Sequence, residues 1–128
     1  MTQPPTPLGQ IDVTWRGSTM VASLAGEIDG SNASEIGSVI AKASEAATTV
    51  VVDLSALGYL DSTALTMIHR LAMDHPSVVL VAPVGSRANR LVGISGLDTV
   101  LPLVENVSDA LALRTASGAD GSLADTGT

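Results

Sequence analysis

Ile11, Val13 and Trp15 alternate with Asp12, Thr14 and Arg16, the period-two pattern of a strand with one covered face. Gly17, Ser18 and Thr19 supply a turn into a second strand over residues 20–28, so the chain opens on a predicted hairpin. Asn32 followed three residues later by Glu35 is a helix-start signature, and Ile36, Val39, Ile40, Ala43 and Ala47 then recur at helical spacing. Residues 49–54 form a nearly continuous β-branched run, interrupted only at Asp53, as in a central strand covered on both faces. After a turn predicted at Gly58, Leu65, Ile68, Leu71 and Ala72 repeat at helical spacing until Pro76.

Residues 77–82 predict another buried strand. A third helix follows, with Leu91, Val92 and Ser95 on one face and Gly96 placed for a left-handed C-terminal cap. Residues 99–104 return as a strand, assigned to an edge because Pro102 cannot donate to a ladder. A short helix capped by Ser108 closes the pattern. Strands alternating with helices imply crossover connections, hence an α/β fold with a sheet flanked by helices. The 128 residues allow one domain. Its expected bounds are residues 11–114, between a flexible proline-bearing arm (1–10) and a disordered tail (115–128) of small and polar residues.

Composition narrows the chemistry. Hydrophobic residues make up 45% of the chain but aromatics only 2%, with no Phe, so the core must be aliphatic. A net charge of -7, with the Arg and Lys residues scattered, offers a polyanion no patch to neutralise. Nucleic acid and anionic membrane surfaces are therefore not expected partners. Cysteine is absent, which removes disulfides, thiolate metal sites and thiol catalysis. No basic and apolar leader opens the chain, and no apolar run approaches the ~20 residues a bilayer needs, so a soluble cytoplasmic protein is expected.

No phosphate-cradling glycine loop is present, and His69 and His75 are not spaced as a zinc-binding helical pair, so neither a nucleotide cofactor nor a metal is expected. Ser62 and His69 would stand roughly 10 Å apart along one helix, beyond nucleophile-base reach. Asp53 is most simply a strand residue bonded to local backbone, and Asp29 most simply a turn or capping residue. Asp61, Ser62 and Thr63 begin the second predicted helix, where their oxygens can accept from unpaired N–H groups. The same N–H groups and the positive end of the helix dipole also suit a phosphoryl group, and spacing alone leaves both roles open.

Three segments nevertheless resemble one family: GEID at 26–29, VVVDLSALGYLDSTAL at 50–65, and SRANRLVGISGLDTVLPLVENVSDAL at 86–111. In this order and spacing the chain resembles the STAS domain, and within it the bacterial anti-sigma factor antagonists. The resemblance implies a STAS-like fold, a mixed and mostly β-sheet core with about four flanking helices. It also implies a non-enzymatic switch in stress-linked transcription control. Unphosphorylated, such a protein binds an anti-sigma factor, an ATP-binding serine kinase, and so releases a sigma factor; phosphorylation ends that binding, and a phosphatase is a further expected partner. Carried over, Ser62 is the phosphoacceptor, and Asp29, Asp61, Ser62 and Thr63 form the partner-binding surface. The family's usual Asp-Ser-Ser-Gly is Asp-Ser-Thr-Ala here, which alters the helix start around a retained serine. The MDHPS connection is shorter than in the family, and a trimmed second helix is expected from it. The alternative is an accessory STAS domain that holds a signalling or transport complex together without a phosphate switch.

Overall fold

The computed structural model describes residues 9–113. Strands β1 (Gly9–Arg16), β2 (Thr19–Ile28), β3 (Thr49–Leu60), β4 (Val78–Val81) and β5 (Leu103–Val104) form one sheet in the order β1-β2-β3-β4-β5. Helices α1 (Ala33–Ser44), α2 (Ser62–Asp74) and α3 (Arg87–Ser95) connect the parallel strands, and a further helix, α4, is described over residues 107–113. Among the described residues only the β1–β2 pair is antiparallel; β2 to β5 run parallel, as crossover helices require.

The alternation along the strands explains the layering. Met20, Ala22 and Leu24 of β2, Val50, Val52 and Leu54 of β3, and Val78 and Leu80 of β4 point to one face. There they meet Ile36 and Ile40 of α1, Ala64, Ile68 and Leu71 of α2, and Ala88 and Val92 of α3. Val21, Val51, Val79 and Val81 point the other way and are covered by Val107 and Ala110 of α4. Val50, Val51 and Val52 are thus all fully buried, which is why that run lacks alternation. Gly96 takes φ 83° as the left-handed cap of α3.

Several expectations need correction. β3 does not turn at Gly58: it runs on to Leu60, because Glu27 pairs with Tyr59 and Ile28 with Leu60, with irregular register along β2 absorbing the mismatch. β1 starts at Gly9, inside the expected arm; residues 1–8 and the expected tail lie outside the described residues. Asn32 precedes α1 but makes no side-chain cap bond to it. Val39 lies off the buried stripe of α1 and is 42% exposed. The expected strand over residues 99–104 is only Leu103–Val104, preceded by a 3-10 turn at Leu97–Thr99. Asn106, not Ser108, caps α4, accepting from the Asp109 N–H at 2.8 Å. Helix α2 spans 13 residues, Ser62–Asp74, and ends two residues before Pro76. Among the described residues no helix is long and apolar enough to cross a membrane.

Candidate functional site

The candidate residues stand where β2 and β3 end side by side. Since Ile28 pairs with Leu60, the next residues, Asp29 and Asp61, leave adjacent parallel strands at the same edge, and the Asp61 N–H donates to the Ile28 carbonyl at 3.3 Å. This is the carboxyl end of the parallel strands, where loops and helix N-termini gather in open α/β sheets.

Asp61 takes an extended backbone as N-cap of α2. Its Oδ1 accepts from the Thr63 N–H at 2.9 Å and the Ala64 N–H at 3.1 Å, and its carbonyl accepts from Leu65 at 3.1 Å. Most of the orphan donors of this helix start are therefore occupied already. Ala64 turns inward and is buried, whereas Ser62 and Thr63 are exposed. The Ser62 carbonyl accepts from the Thr66 hydroxyl at 2.9 Å, but the Ser62 hydroxyl bonds to no described residue. It is an exposed oxygen at the positive end of a helix, and its neighbouring N–H groups are held by a carboxylate.

Asp29 is organised differently. Its Oδ1 accepts from the Ser31 hydroxyl at 2.6 Å and the Ser31 N–H at 2.8 Å. Those two bonds, the hydroxyl's first, hold the carboxyl below its ordinary value of 3.8. The Asp29 carbonyl accepts from Asn32 and Ala33, fixing the turn into α1. Gly30 of this turn comes next to Thr63: a Cβ on Gly30 would stand 3.7 Å from the Thr63 hydroxyl. The turn after β2 and the start of α2 therefore share one surface, which carries all four sequence-predicted site residues.

Sequence reasoning missed Ser31, for which the Asp-x-Ser spacing was the available signal, and gave Asn32 a helix-start role where it holds the Asp29 turn instead. A groove of about 320 Å³ opens between α1 and α2 from Thr63 onward, and Arg70 and Asp74 are the titratable groups lining it. His69 is exposed on α2. His75 is structural, because its Nδ1 accepts from the Ser77 N–H at 3.1 Å, so Nε2 carries the proton and donates to the Ala47 carbonyl at 3.0 Å. Asp53 binds locally, accepting from the Ser55 N–H and hydroxyl. Among the described residues no group of three His, Cys, Asp or Glu could hold a metal ion.

The family model described as Mlab, STAS domain matches residues 11–105. The chain belongs to the STAS domain family. No curated protein matches this STAS chain. Among solved structures it is similar to an anti-sigma factor antagonist from Mycobacterium paratuberculosis, with 26% identity and a TM-score of 0.78 over 84% of this chain and 96% of that one. The phosphorylated form of SpoIIAA, a Bacillus cell fate determinant, shares the fold at 19% identity and a TM-score of 0.63, over 80% of this chain and 97% of that one. The murine Solute Carrier 26 family member A9 anion transporter also contains the fold: 12% identity, TM-score 0.66, over 85% of this chain and 22% of that one. The STAS fold thus occurs both as a near-complete small protein and as a module of a much larger one.

Proposed function

We propose that this STAS protein is an anti-sigma factor antagonist: unphosphorylated, it binds an anti-sigma factor and releases a sigma factor, and phosphorylation of Ser62 by that partner's kinase activity ends the binding. The observation that carries this reading is the Ser62 hydroxyl, exposed and bonded to no described residue at the start of α2, on a surface shared with the Asp29 turn. The similar Mycobacterium protein is itself an anti-sigma factor antagonist, which supports the general kind.

In the proposed transfer the Ser62 oxygen bonds to the γ-phosphorus of ATP as the bond to the β-phosphate oxygen breaks. ADP leaves, and the hydroxyl proton passes to a base of the kinase or to water. This chain supplies the acceptor and its presentation. The product adds about -1.5 to -2 charges beside Asp61, on a chain already at -7. The dipole of α2 offsets part of that charge, worth ~0.3–1 kcal/mol. Asp61 already holds the Thr63 and Ala64 N–H groups, so the phosphate stays at the surface. A partner that approached the neutral hydroxyl closely must then desolvate a dianion. The accessory-domain alternative requires no reactive hydroxyl at this surface, and the exposure of Ser62 favours the switch over it.

The test is phosphorylation by the anti-sigma kinase with ATP, read by intact mass. The wild-type chain and Thr63→Ala should gain one phosphate, and Ser62→Ala none. Phosphate on Ser62→Ala but not on Thr63→Ala would move the acceptor to Thr63. No phosphate on the wild-type chain, together with retained partner binding, would favour the accessory domain.

A further inference from the structure

Asn32 stands where a helix N-cap belongs, yet its amide leaves α1 uncapped and is spent on the strand behind it. Its Oδ1 accepts from the Asp29 N–H at 3.0 Å, and its Nδ2 donates to the Glu27 carbonyl at 2.9 Å. The amide therefore spans the end of β2, holding an acceptor on one side of Ile28 and a donor on the other. A carboxylate could accept from Asp29 but could not donate to Glu27, so this position needs an amide. The reversed amide would set N–H against N–H and oxygen against oxygen, which fixes its orientation.

The amide is also closely approached by the start of β1. A Cβ on Gly9 would lie 2.6 Å from Asn32 Nδ2 and 2.8 Å from the Glu27 carbonyl oxygen, so only a glycine at the start of β1 leaves room for this bond. Asp29 is consequently anchored at every backbone polar atom: its N–H by the Asn32 side chain, its carbonyl by the Asn32 and Ala33 N–H groups. Its carboxylate is turned by Ser31 through Oδ1, and Oδ2 bonds to no described residue.

We propose that Asn32 is a positioning residue for partner recognition: it fixes the exit of β2 so that the Asp29 carboxylate presents its unbonded oxygen to the anti-sigma factor beside Ser62. This rests on the function proposed above and adds a residue to its surface. Fixing the carboxylate beforehand lowers the ordering cost on association, so loss of Asn32 weakens binding through Asp29 alone.

The test is a double-mutant cycle. The probe is the purified anti-sigma kinase that phosphorylates Ser62, and the variants are Asn32→Ala, Asp29→Ala and the pair. Asn32→Ala should weaken binding about 5-fold when Asp29 is present and less than about 2-fold when Asp29 is already alanine. Amide hydrogen exchange at Asp29 should quicken in Asn32→Ala with no partner present, which isolates the anchoring from binding. If Asn32→Ala does not fold, Asn32→Ser, whose short side chain cannot span the Asp29 N–H and the Glu27 carbonyl and can cap α1 instead, carries the same cycle. Equal losses in both backgrounds, or unchanged exchange at Asp29, would overturn the role of Asn32 while leaving the proposed function standing. Absence of binding by the wild-type chain would overturn both.

Discussion

Asp53 and Asp61 head the same three-residue pattern, an Asp followed two positions later by a hydroxyl residue, yet one turn is closed on itself and the other is open. At Asp53, Oδ1 takes the Ser55 N–H at 3.0 Å and the Ser55 hydroxyl at 2.6 Å, and the residue between them, Leu54, points into the core. At Asp61, Oδ1 takes the Thr63 N–H at 2.9 Å, but its next donor is the Ala64 N–H, because a helix has begun. The residue between is Ser62, and it points outward. The Asp29 turn repeats the closed form, with glycine in the middle place. The motif itself therefore does not make a site. At Asp53 and Asp61 the continuation of the chain, as strand in one and as helix in the other, decides whether the middle residue faces the core or the solvent.

The largest effect that sharpens this contrast belongs to the buried middle position. Leu54 is 1% exposed, so Leu54→Ala should cost about 2–5 kcal/mol in denaturant unfolding, whereas Ser62→Ala should stay within about 0.5 kcal/mol of wild type. Comparable losses at the two positions would break the distinction.

Next in size is the cap. Asp61→Ala removes the acceptor for two N–H groups and should cost about 0.5–2 kcal/mol, while Asp61→Asn keeps a side-chain oxygen and should recover most of it. Thermal unfolding of the two variants checks this; identical midpoints for Asp61→Ala and wild type would show that the cap carries no stability.

The smallest effect concerns the closed turn at Asp29. Its carboxyl is depressed below 3.8 by the Ser31 bonds, so the unfolded chain binds this proton more readily than the folded one. The contribution is present above pH 3.8 and fades as pH falls through the lower folded value. Ser31→Ala should move the Asp29 titration, followed by carboxyl NMR, up toward 3.8. An unmoved titration would remove Ser31 as the cause.

Much of the fold was legible because its signals are local. The triple valine at 50–52 reads as buried on both faces and is so, and Gly96 reads as a left-handed cap and is one. Gly58 misled because a lone glycine between an apolar run and a helix start signals a turn, and only the partner strand, through Glu27 and Ile28, reveals that pairing continues past it. Asn32 misled for a related reason: its spacing to Glu35 signals a capping box, while the competing bonds come from strand ends that no local window contains. At the site, the place of Ser62 at a helix start was readable from residues. The neighbourhood of the Asp29 turn was expected only through the family resemblance. Its physical basis is the pairing of Ile28 with Leu60, a long-range fact.

The central claim is that the open turn switches binding without disturbing the fold. It is tested most directly by preparing the chain stoichiometrically phosphorylated on Ser62 and measuring, on that one sample, its affinity for the anti-sigma factor and its thermal midpoint. Affinity should fall at least ~100-fold, equivalent to ~2.7 kcal/mol, while the midpoint stays within about 3 °C of the unmodified protein. Unchanged affinity, or a midpoint that collapses together with the helical signal, would contradict the account.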